Sequence, residues 1–267
     1  MRRTAYFGFW LIIRKTSADH LATVASSRRL GRTPSALPPT LSSPLKSLVQ
    51  LTSYHDIPAV GRTATGVSAV INAYMPNPIL DLEGYLLLLR AAECAGVQIF
   101  LASSWSCNWT NIKYNSFENY NDHIHFEQQV ATTSPIKPVY LFSSLFADLL
   151  YTVYLPGAFD DVATPLMKSW GNGDGEKYPW STQEYAAEST IDILLRGKGV
   201  QAGDGGYFKL RSGVTTVRKL VDAYEKVLRL KFIDLTYLDT LTMKQDPITF
   251  QLTGSVQEAR SLTLKRA

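Results

Sequence analysis

Residues 66–105 read GVSAVINAYMPNPILDLEGYLLLLRAAECAGVQIFLASSW, and this stretch indicates the fold of the chain. Two short apolar runs, 66–73 and 97–103, flank a segment at 79–95 whose apolar residues recur every three or four positions. Gly96 would end the helix that this segment predicts. Apolar runs of this length predict strands buried on both faces, and strands that alternate with helices predict parallel βαβ units.

Two more apolar runs extend the pattern toward both ends of the chain. FGFWLIIR at 7–14 and KPVYLFSS at 137–144 have a similar length and composition, so they predict further buried strands. A glycine-rich loop follows at 170–180, and Ser181–Glu184 then fits a capping box that opens a helix to about Leu195. These elements predict an α/β fold built on a parallel sheet, with a small α/β region toward the C-terminus.

Composition and periodicity predict three regions along the chain. A main region at 1–157 precedes a smaller region at 158–241, which contains a short predicted strand at 207–210 and a second amphipathic helix. Residues 242–267 have little periodicity and are expected to form a tail. The stretch 31–47 is rich in proline and serine, so we expect an irregular linker inside the main region.

Charge and cysteine content exclude several classes of function. The net charge is +4, and the basic excess lies within residues 1–55, where Asp19 is the one acid. No aromatic interleaving or recognition motif accompanies it, so nucleic-acid binding is not expected. Cys94 and Cys107 alone make neither a disulfide framework nor a zinc site, which favours the cytoplasm. The apolar run at 5–13 is shorter than the ~20 residues of a membrane helix, so no membrane span is expected.

Several motifs together resemble one known family. The helix of the opening segment ends in an AA..AGV pattern and the strand after it closes on two serines; these residues are Ala91, Ala92, Ala95, Gly96, Val97, Ser103 and Ser104. With HFEQQV, KPVYLF and WGNGDGEKYPWSTQEYAAESTIDILL, the chain is similar to fungal NmrA-like and isoflavone-reductase-like proteins over roughly residues 48–235. The resemblance implies a Rossmann-like, doubly wound parallel sheet that binds NADP(H) as cofactor within residues 1–157, and a substrate-side region at 158–241.

Candidate cofactor residues follow three of the predicted strands. The RKTS motif matches the basic turn after the family's second strand; its residues are Arg14, Lys15, Thr16 and Ser17. In that turn a guanidinium can engage the 2′-phosphate of NADP(H). Ligands of open α/β sheets lie beyond the carboxyl ends of strands, so two strand ends should flank the nicotinamide, namely Asn72, Ala73 and Tyr74, then Ser103 and Ser104. The alternatives are that residues 14–17 form a basic turn exposed to solvent and that the two serines only end their strand.

The front of the chain departs from the family pattern. A member should begin with a strand, a GxxGxxG turn and a helix, because glycines let the backbone approach the pyrophosphate at the helix N-terminus. Here thirteen residues precede Arg14, and Gly8 is the one glycine among them. Gln50 also occupies a position where the family usually has an acidic residue. We therefore expect the first βα unit, with its glycine-rich turn, to be missing.

The catalytic residues of short-chain reductases are also altered. Their usual Tyr-x-x-x-Lys motif supplies a proton from a phenol, but the same spacing here joins Trp109 to Lys113, and an indole cannot donate in this way. His123 lies nearest to the position of a lysine in NmrA-type relatives and is the candidate proton donor, with Ser103 or Ser104 orienting the substrate. Tyr114 and Tyr120 are weaker alternatives, and a histidine at a helix start can equally have no catalytic role.

These observations predict an NADP(H)-dependent reductase of secondary metabolism that acts on a small aromatic or polyketide-type metabolite. The main alternative is a non-catalytic, dinucleotide-sensing regulator of the NmrA kind that binds a protein partner. A truncated, inactive family member is a third possibility. The expected partner is a small-molecule substrate; neither nucleic acid, nor membrane, nor metal is expected.

Overall fold

The computed structural model describes residues 9–13, 27–31, 45–50, 56–73, 81–116, 120–147, 166–170, 177–228 and 234–238. These residues form the strands β1 (Phe9–Ile13), β2 (Ser27–Gly31), β3 (Leu45–Gln50), β4 (Ala69–Ala73), β5 (Ile99–Ala102), β6 (Val139–Phe142), β7 (Leu145–Phe146), β8 (Leu166–Trp170), β9 (Tyr178–Ser181), β10 (Gly206–Lys209), β11 (Gly213–Thr215) and β12 (Asp234–Leu238). The helices are α1 (Ile57–Ala64), α2 (Asp81–Cys94), α3 (Asn121–Thr133), α4 (Gln183–Arg196), α5 (Lys198–Gln201) and α6 (Val217–Leu228).

A seven-stranded sheet has the order β10-β6-β5-β4-β1-β2-β3. Strands β4, β5 and β6 are parallel neighbours, and β2 is parallel to β3. Gly206 N donates a hydrogen bond to Pro138 O, and Leu210 N donates one to Phe142 O. The bonded residue numbers increase together in β10 and β6, so these two strands are parallel as well. The strands β1 to β6 lie side by side in the order β3-β2-β1-β4-β5-β6, which is the order found in doubly wound folds. The predicted α/β, Rossmann-like sheet is therefore confirmed.

Strand β1 corrects one part of that prediction. The apolar run at 7–14 does contain a strand, but it pairs antiparallel with β4, so that Phe9 lies opposite Ala73 and Ile13 opposite Ala69. It is antiparallel to β2 too. The prediction of a parallel strand here was wrong because an apolar run indicates burial and carries no information about strand direction.

The predicted irregular stretch at 31–47 also needs correction at both ends. Gly31 is the last residue of β2, and residues 45–47 form the first half of β3. Leu45, Leu48 and Val49 give LKSLVQ a strand-like pattern that the prolines before it obscured. Residues 32–44 lie outside the part of the chain that the structure describes.

Helices α2 and α3 build the core beside β4 and β5. Tyr85 and Leu89 of α2 are almost fully buried, and Phe126 of α3 packs edge-on against Tyr85 with ring centroids 5.7 Å apart. Helix α2 ends as predicted: Gly96 has φ +71°, and Val97 N donates to Ala92 O at 2.9 Å, the pattern of a Schellman motif. The sequence thus predicted both this helix and its end.

Glycine is required where β10 joins the sheet. Gly205 has φ +63°, and a Cβ there would collide with the carbonyl oxygens of Lys137 and Pro138 at the start of β6. Only a residue without a side chain allows this close approach between the two backbones. The predicted strand at 207–210 is confirmed, within one residue, by β10 at 206–209.

The chain divides into two compact units, each assembled from separate segments. Unit 1 comprises Met1–Ser103, Asn121–Leu141 and Asp192–Phe208, and unit 2 comprises Ser104–Tyr120, Phe142–Ile191 and Lys209–Ala267. Two smaller sheets, β11-β9-β7 and β12-β8, belong to unit 2. The predicted boundary after residue 157 and the predicted tail at 242–267 lie outside the described residues, so the three-region division stays a prediction.

Helix α4 begins close to its predicted start. The hydroxyl of Thr182 accepts a hydrogen bond from Tyr185 N at 3.1 Å, so Thr182, rather than Ser181, caps the helix. The helix ends at Arg196, next to the predicted Leu195. Among the helices in the described ranges, none combines the length and the apolar character needed to cross a membrane.

Candidate functional site

Two neighbouring strands of unit 1 end in candidate cofactor residues. Ile71 of β4 pairs with Leu101 of β5, and continuing that register places Ala73 beside Ser103. Asn72 is 1% exposed, so its amide lies within the protein at the end of β4. The structure therefore brings Asn72, Ala73 and Ser103 together at the carboxyl edge of the sheet, where open α/β folds bind ligands. Tyr74 lies outside the described residues.

Unit 2 contains a second group of hydroxyl side chains. Ser104 is 2% exposed, and its carbonyl accepts a hydrogen bond from Ser106 N at 2.7 Å. Ser144 N donates in turn to Ser106 O at 3.0 Å, which connects the end of β6 to the segment after β5. Ser143 is also fully buried. Ser143 and Ser144 were not among the predicted site residues, although they follow a buried strand just as Ser103 and Ser104 do.

The backbone of Ser144 has an uncommon conformation. Its φ of +59° lies in the left-handed region, which L-residues other than glycine, asparagine and aspartate rarely adopt. Such a conformation costs on the order of 1–3 kcal/mol and is often found at functional sites. Ser144 thus joins the candidate residues on a structural observation that the sequence does not contain.

His123 lies between helices in unit 1. It is the third residue of α3, is half-buried, and has its ring centroid 5.9 Å from that of Tyr85 on α2. Desolvation by the surrounding protein lowers the pKa of His123 from 6.5 to about 4. The imidazole is therefore neutral at pH 7, which argues against the predicted role of an imidazolium proton donor. A role for the neutral ring stays untested.

The other candidate proton donors differ in their surroundings. Tyr114 is 47% exposed, whereas Tyr120 is buried. Trp109, at the position of the reductase tyrosine, is fully buried and packs edge-on against Phe142 with ring centroids 5.6 Å apart. The indole is therefore part of the core of unit 2. The proton donor expected of a short-chain reductase is absent from that position.

The predicted basic turn of Arg14, Lys15, Thr16 and Ser17 lies outside the described residues. The residue before it, Ile13, pairs with Ala69, the first residue of β4. The chain thus leaves β1 at the amino edge of the parallel strands. Strand β2 ends at the opposite edge with Gly31, which Arg32 follows in the sequence. The role of residues 14–17 stays a prediction.

Carboxylates lie at the N-termini of two helices of unit 1. Asp56 caps α1, and its side chain accepts a hydrogen bond from Ala59 N at 3.2 Å. Asp122 lies in the first turn of α3. Each of these two acids opposes the positive end of a helix dipole, which lowers the attraction of that end for an anion. In the described ranges, no group of three or more His, Cys, Asp or Glu could hold a metal.

Several solved structures share this fold. Isoflavone reductase matches with a TM-score of 0.66 at 15% identity, over 86% of this chain and 81% of that one. A nucleoside-diphosphate-sugar epimerase from Staphylococcus aureus matches at 0.58 and 15% identity, over 85% and 80%. Leucoanthocyanidin reductase from Vitis vinifera, in a binary complex with NADPH, matches at 0.59 and 13%, over 79% and 72%. No protein-family model and no curated protein matches the chain. These identities establish a common fold alone.

Proposed function

We propose that the protein is an NADP(H)-linked, reductase-like protein that acts on a small aromatic or polyketide-type metabolite. The observation that carries the proposal is the placement of Asn72, Ala73 and Ser103 together at the carboxyl edge of parallel strands. Neutral polar groups at this edge suit a nicotinamide ring and a substrate carbonyl. The substrate class rests on the resemblance to NmrA-like and isoflavone-reductase-like proteins, because a fold alone does not define a substrate.

NADP(H) is the cofactor because leucoanthocyanidin reductase, which has the same fold, binds NADPH. When bound, NADP(H) would supply a hydride to a carbonyl or a conjugated double bond. Asn72 and Ala73 would hold its nicotinamide end, and Ser103 or Ser104 would orient the substrate by donating a hydrogen bond to its oxygen. The described residues fit this nicotinamide end better than they fit the phosphates, because the N-termini of α1 and α3 carry acids.

A non-catalytic, dinucleotide-sensing regulator is the second candidate. Trp109 in the core and the neutral His123 favour it, because neither can donate the proton that carbonyl reduction needs at pH 7. Such a protein would bind a protein partner in place of turning over a substrate. For either function we place the protein in the cytoplasm, where an exposed thiol such as Cys94 would stay reduced.

Turnover and binding measured on the same protein separate these candidates. NADPH oxidation is followed with a panel of aryl ketones and conjugated enones, and NADPH binding is followed by thermal melting. At 100 times its Kd, NADPH should raise the free energy of unfolding by about 2.7 kcal/mol and Tm by roughly 5–10 °C. Stabilisation with turnover supports the reductase, and stabilisation without turnover on any substrate supports the regulator. No stabilisation by millimolar NADPH would reject both.

Serine variants test the orienting role within that assay. Ser104→Ala should lower kcat about 10²-fold if its hydroxyl stabilises the developing oxyanion. Ser116→Ala is the matched control, because Ser116 is exposed and lies in the same segment of unit 2. His123→Gln should change kcat far less than Ser104→Ala, since His123 is neutral at pH 7. The reverse ranking would restore His123 as the proton donor.

A further inference from the structure

The main chain of Trp105 in unit 2 has a defined position. Ser106 N donates a hydrogen bond to Ser104 O at 2.7 Å, so Trp105 is the central residue of a three-residue γ-turn. Ser144 N donates in turn to Ser106 O at 3.0 Å, which connects this turn to the residue that precedes β7. The turn that contains Trp105 is therefore anchored to a second segment of the same unit.

The side chain of Trp105 is held as well. Its indole Nε1 donates a hydrogen bond to the hydroxyl of Thr190 on α4 at 3.1 Å. That hydroxyl donates its one proton to Ala186 O at 2.6 Å, so toward the indole it acts as the acceptor. Thr190 is only 4% exposed, and the hydrogen bond therefore fixes the orientation of the ring from inside unit 2.

The part of Trp105 that remains accessible is apolar. The residue is half-buried, yet the one polar atom of its side chain points to a buried hydroxyl. A tryptophan at a surface more commonly has the opposite arrangement, with the ring buried and the N–H toward water. Here ring carbons stay accessible, and apolar surface is unfavourable in water. A fixed aromatic ring with accessible carbons suits a flat apolar ligand that covers it.

The chain also places this ring next to the proposed substrate site. Trp105 directly follows Ser104, which is one of the two serines proposed to orient the substrate, so their Cα atoms are about 3.8 Å apart. Building on the function proposed above, we infer that the indole of Trp105 binds the aromatic ring of the substrate by stacking. Thr190 is then a positioning residue, because it holds the indole in the orientation that stacking requires.

Two ketones of similar size test the inference. Acetophenone carries a flat aromatic ring, whereas cyclohexyl methyl ketone carries a saturated ring with the same number of carbons. The full chain is titrated with each ketone in the presence of NADP+, which has no hydride to donate, and the dissociation constants are measured by ligand-observed NMR. Trp105→Leu should lower the affinity for acetophenone, relative to the cyclohexyl ketone, by about 2- to 10-fold, which is the gain expected of a stacked aromatic pair.

The ratio of the two dissociation constants separates recognition from folding. A variant that only loosens unit 2 should weaken both ketones equally and leave the ratio unchanged. Thr190→Val removes the hydroxyl that holds the indole, so it should change the ratio in the same direction as Trp105→Leu, and Thr190→Ser should restore it. Tyr185→Leu is the matched control, because Tyr185 is an exposed aromatic residue on α4 and should leave the ratio unchanged.

The outcomes also separate this inference from the proposed function, which NADPH melting tests by itself. Stabilisation by NADPH with an unchanged ratio in Trp105→Leu rejects the inference and leaves the reductase-like function standing. A changed ratio without stabilisation rejects that function and keeps Trp105 as a residue that binds aromatic rings. If neither ketone binds at millimolar concentration, the inference is overturned.

Discussion

The guanidinium of Arg90 on α2 donates a hydrogen bond to the carbonyl oxygen of Thr133, the last residue of α3, at 3.0 Å. The same guanidinium contacts both carboxylate oxygens of Glu93, at 2.7 and 2.8 Å, and the hydroxyl of Ser134 donates to that carboxylate. Arg90 thus joins two helices and satisfies a carbonyl that the end of α3 leaves open.

Replacing Arg90 should therefore destabilise unit 1. Arg90→Met keeps the aliphatic stem and should lower the free energy of unfolding by about 1–2 kcal/mol in urea titrations, because a charge-assisted link between helices is lost. Arg196→Met provides the control, since Arg196 forms an exposed i,i+4 pair with Asp192 worth about 0.3–0.5 kcal/mol. Equal losses in the two variants would show that the link to Thr133 has no special value.

The left-handed backbone of Ser144 should reverse the usual preference for alanine over glycine. Inside helices and strands, alanine is more stabilising than glycine by about 0.5–1 kcal/mol. At φ +59° the Cβ is unfavourable, so Ser144→Gly should be more stable than Ser144→Ala by about 1 kcal/mol in equilibrium unfolding. Ala187→Gly, at an exposed position inside α4, should show the normal order. The normal order at residue 144 would contradict the assigned conformation.

His123 should make stability depend on pH. Its pKa is about 4 when folded and 6.5 ordinarily, so between these values the unfolded chain binds more protons than the folded one. The contribution is fully present above pH 6.5, falls as the pH drops toward 4, and amounts to at most about 3 kcal/mol. His123→Gln should remove this slope from urea titrations at pH 4–7. An unchanged slope would mean that another group causes it.

Disulfide trapping tests the direction of β1. In a chain without Cys94 and Cys107, cysteines at positions 9 and 73 should form a disulfide on oxidation, because directly opposed antiparallel residues lie about 5 Å apart. Cysteines at 13 and 73 are the control, since Ile13 lies four residues further along, or roughly 13 Å away. Trapping of 13 with 73, and not of 9 with 73, would indicate a parallel strand.

The sequence predicted the elements whose signals are local. The apolar runs became β4, β5 and β6, and Gly96 ended α2, because burial and helix termination depend on neighbouring residues. Strand β2 was missed because SRRLG has two arginines where an apolar run was sought. The direction of β1 depends on its partners in the sheet, which no local pattern contains.

The candidate site was predicted to a similar extent. Asn72, Ala73 and Ser103 lie where strand ends were expected, because each lies at the end of an apolar run. The environment of His123 was not predictable, since Tyr85, which packs against it, is 38 positions earlier in the chain. The left-handed φ of Ser144 was also hidden, because serine does not signal that conformation as glycine does.

The pairing of β10 with β6 has a consequence for the order in which the nascent chain can assemble. Pro138 and Gly206, which are hydrogen-bonded, are separated by 67 residues, whereas β4, β5 and β6 follow one another closely. During synthesis the outer edge of β6 therefore has no strand to cover it until Lys209 has left the ribosome. An uncovered edge is a template for intermolecular pairing. Translation pauses that occur before Lys209 has left the ribosome should increase aggregation of the newborn protein, and pauses after it has left should not.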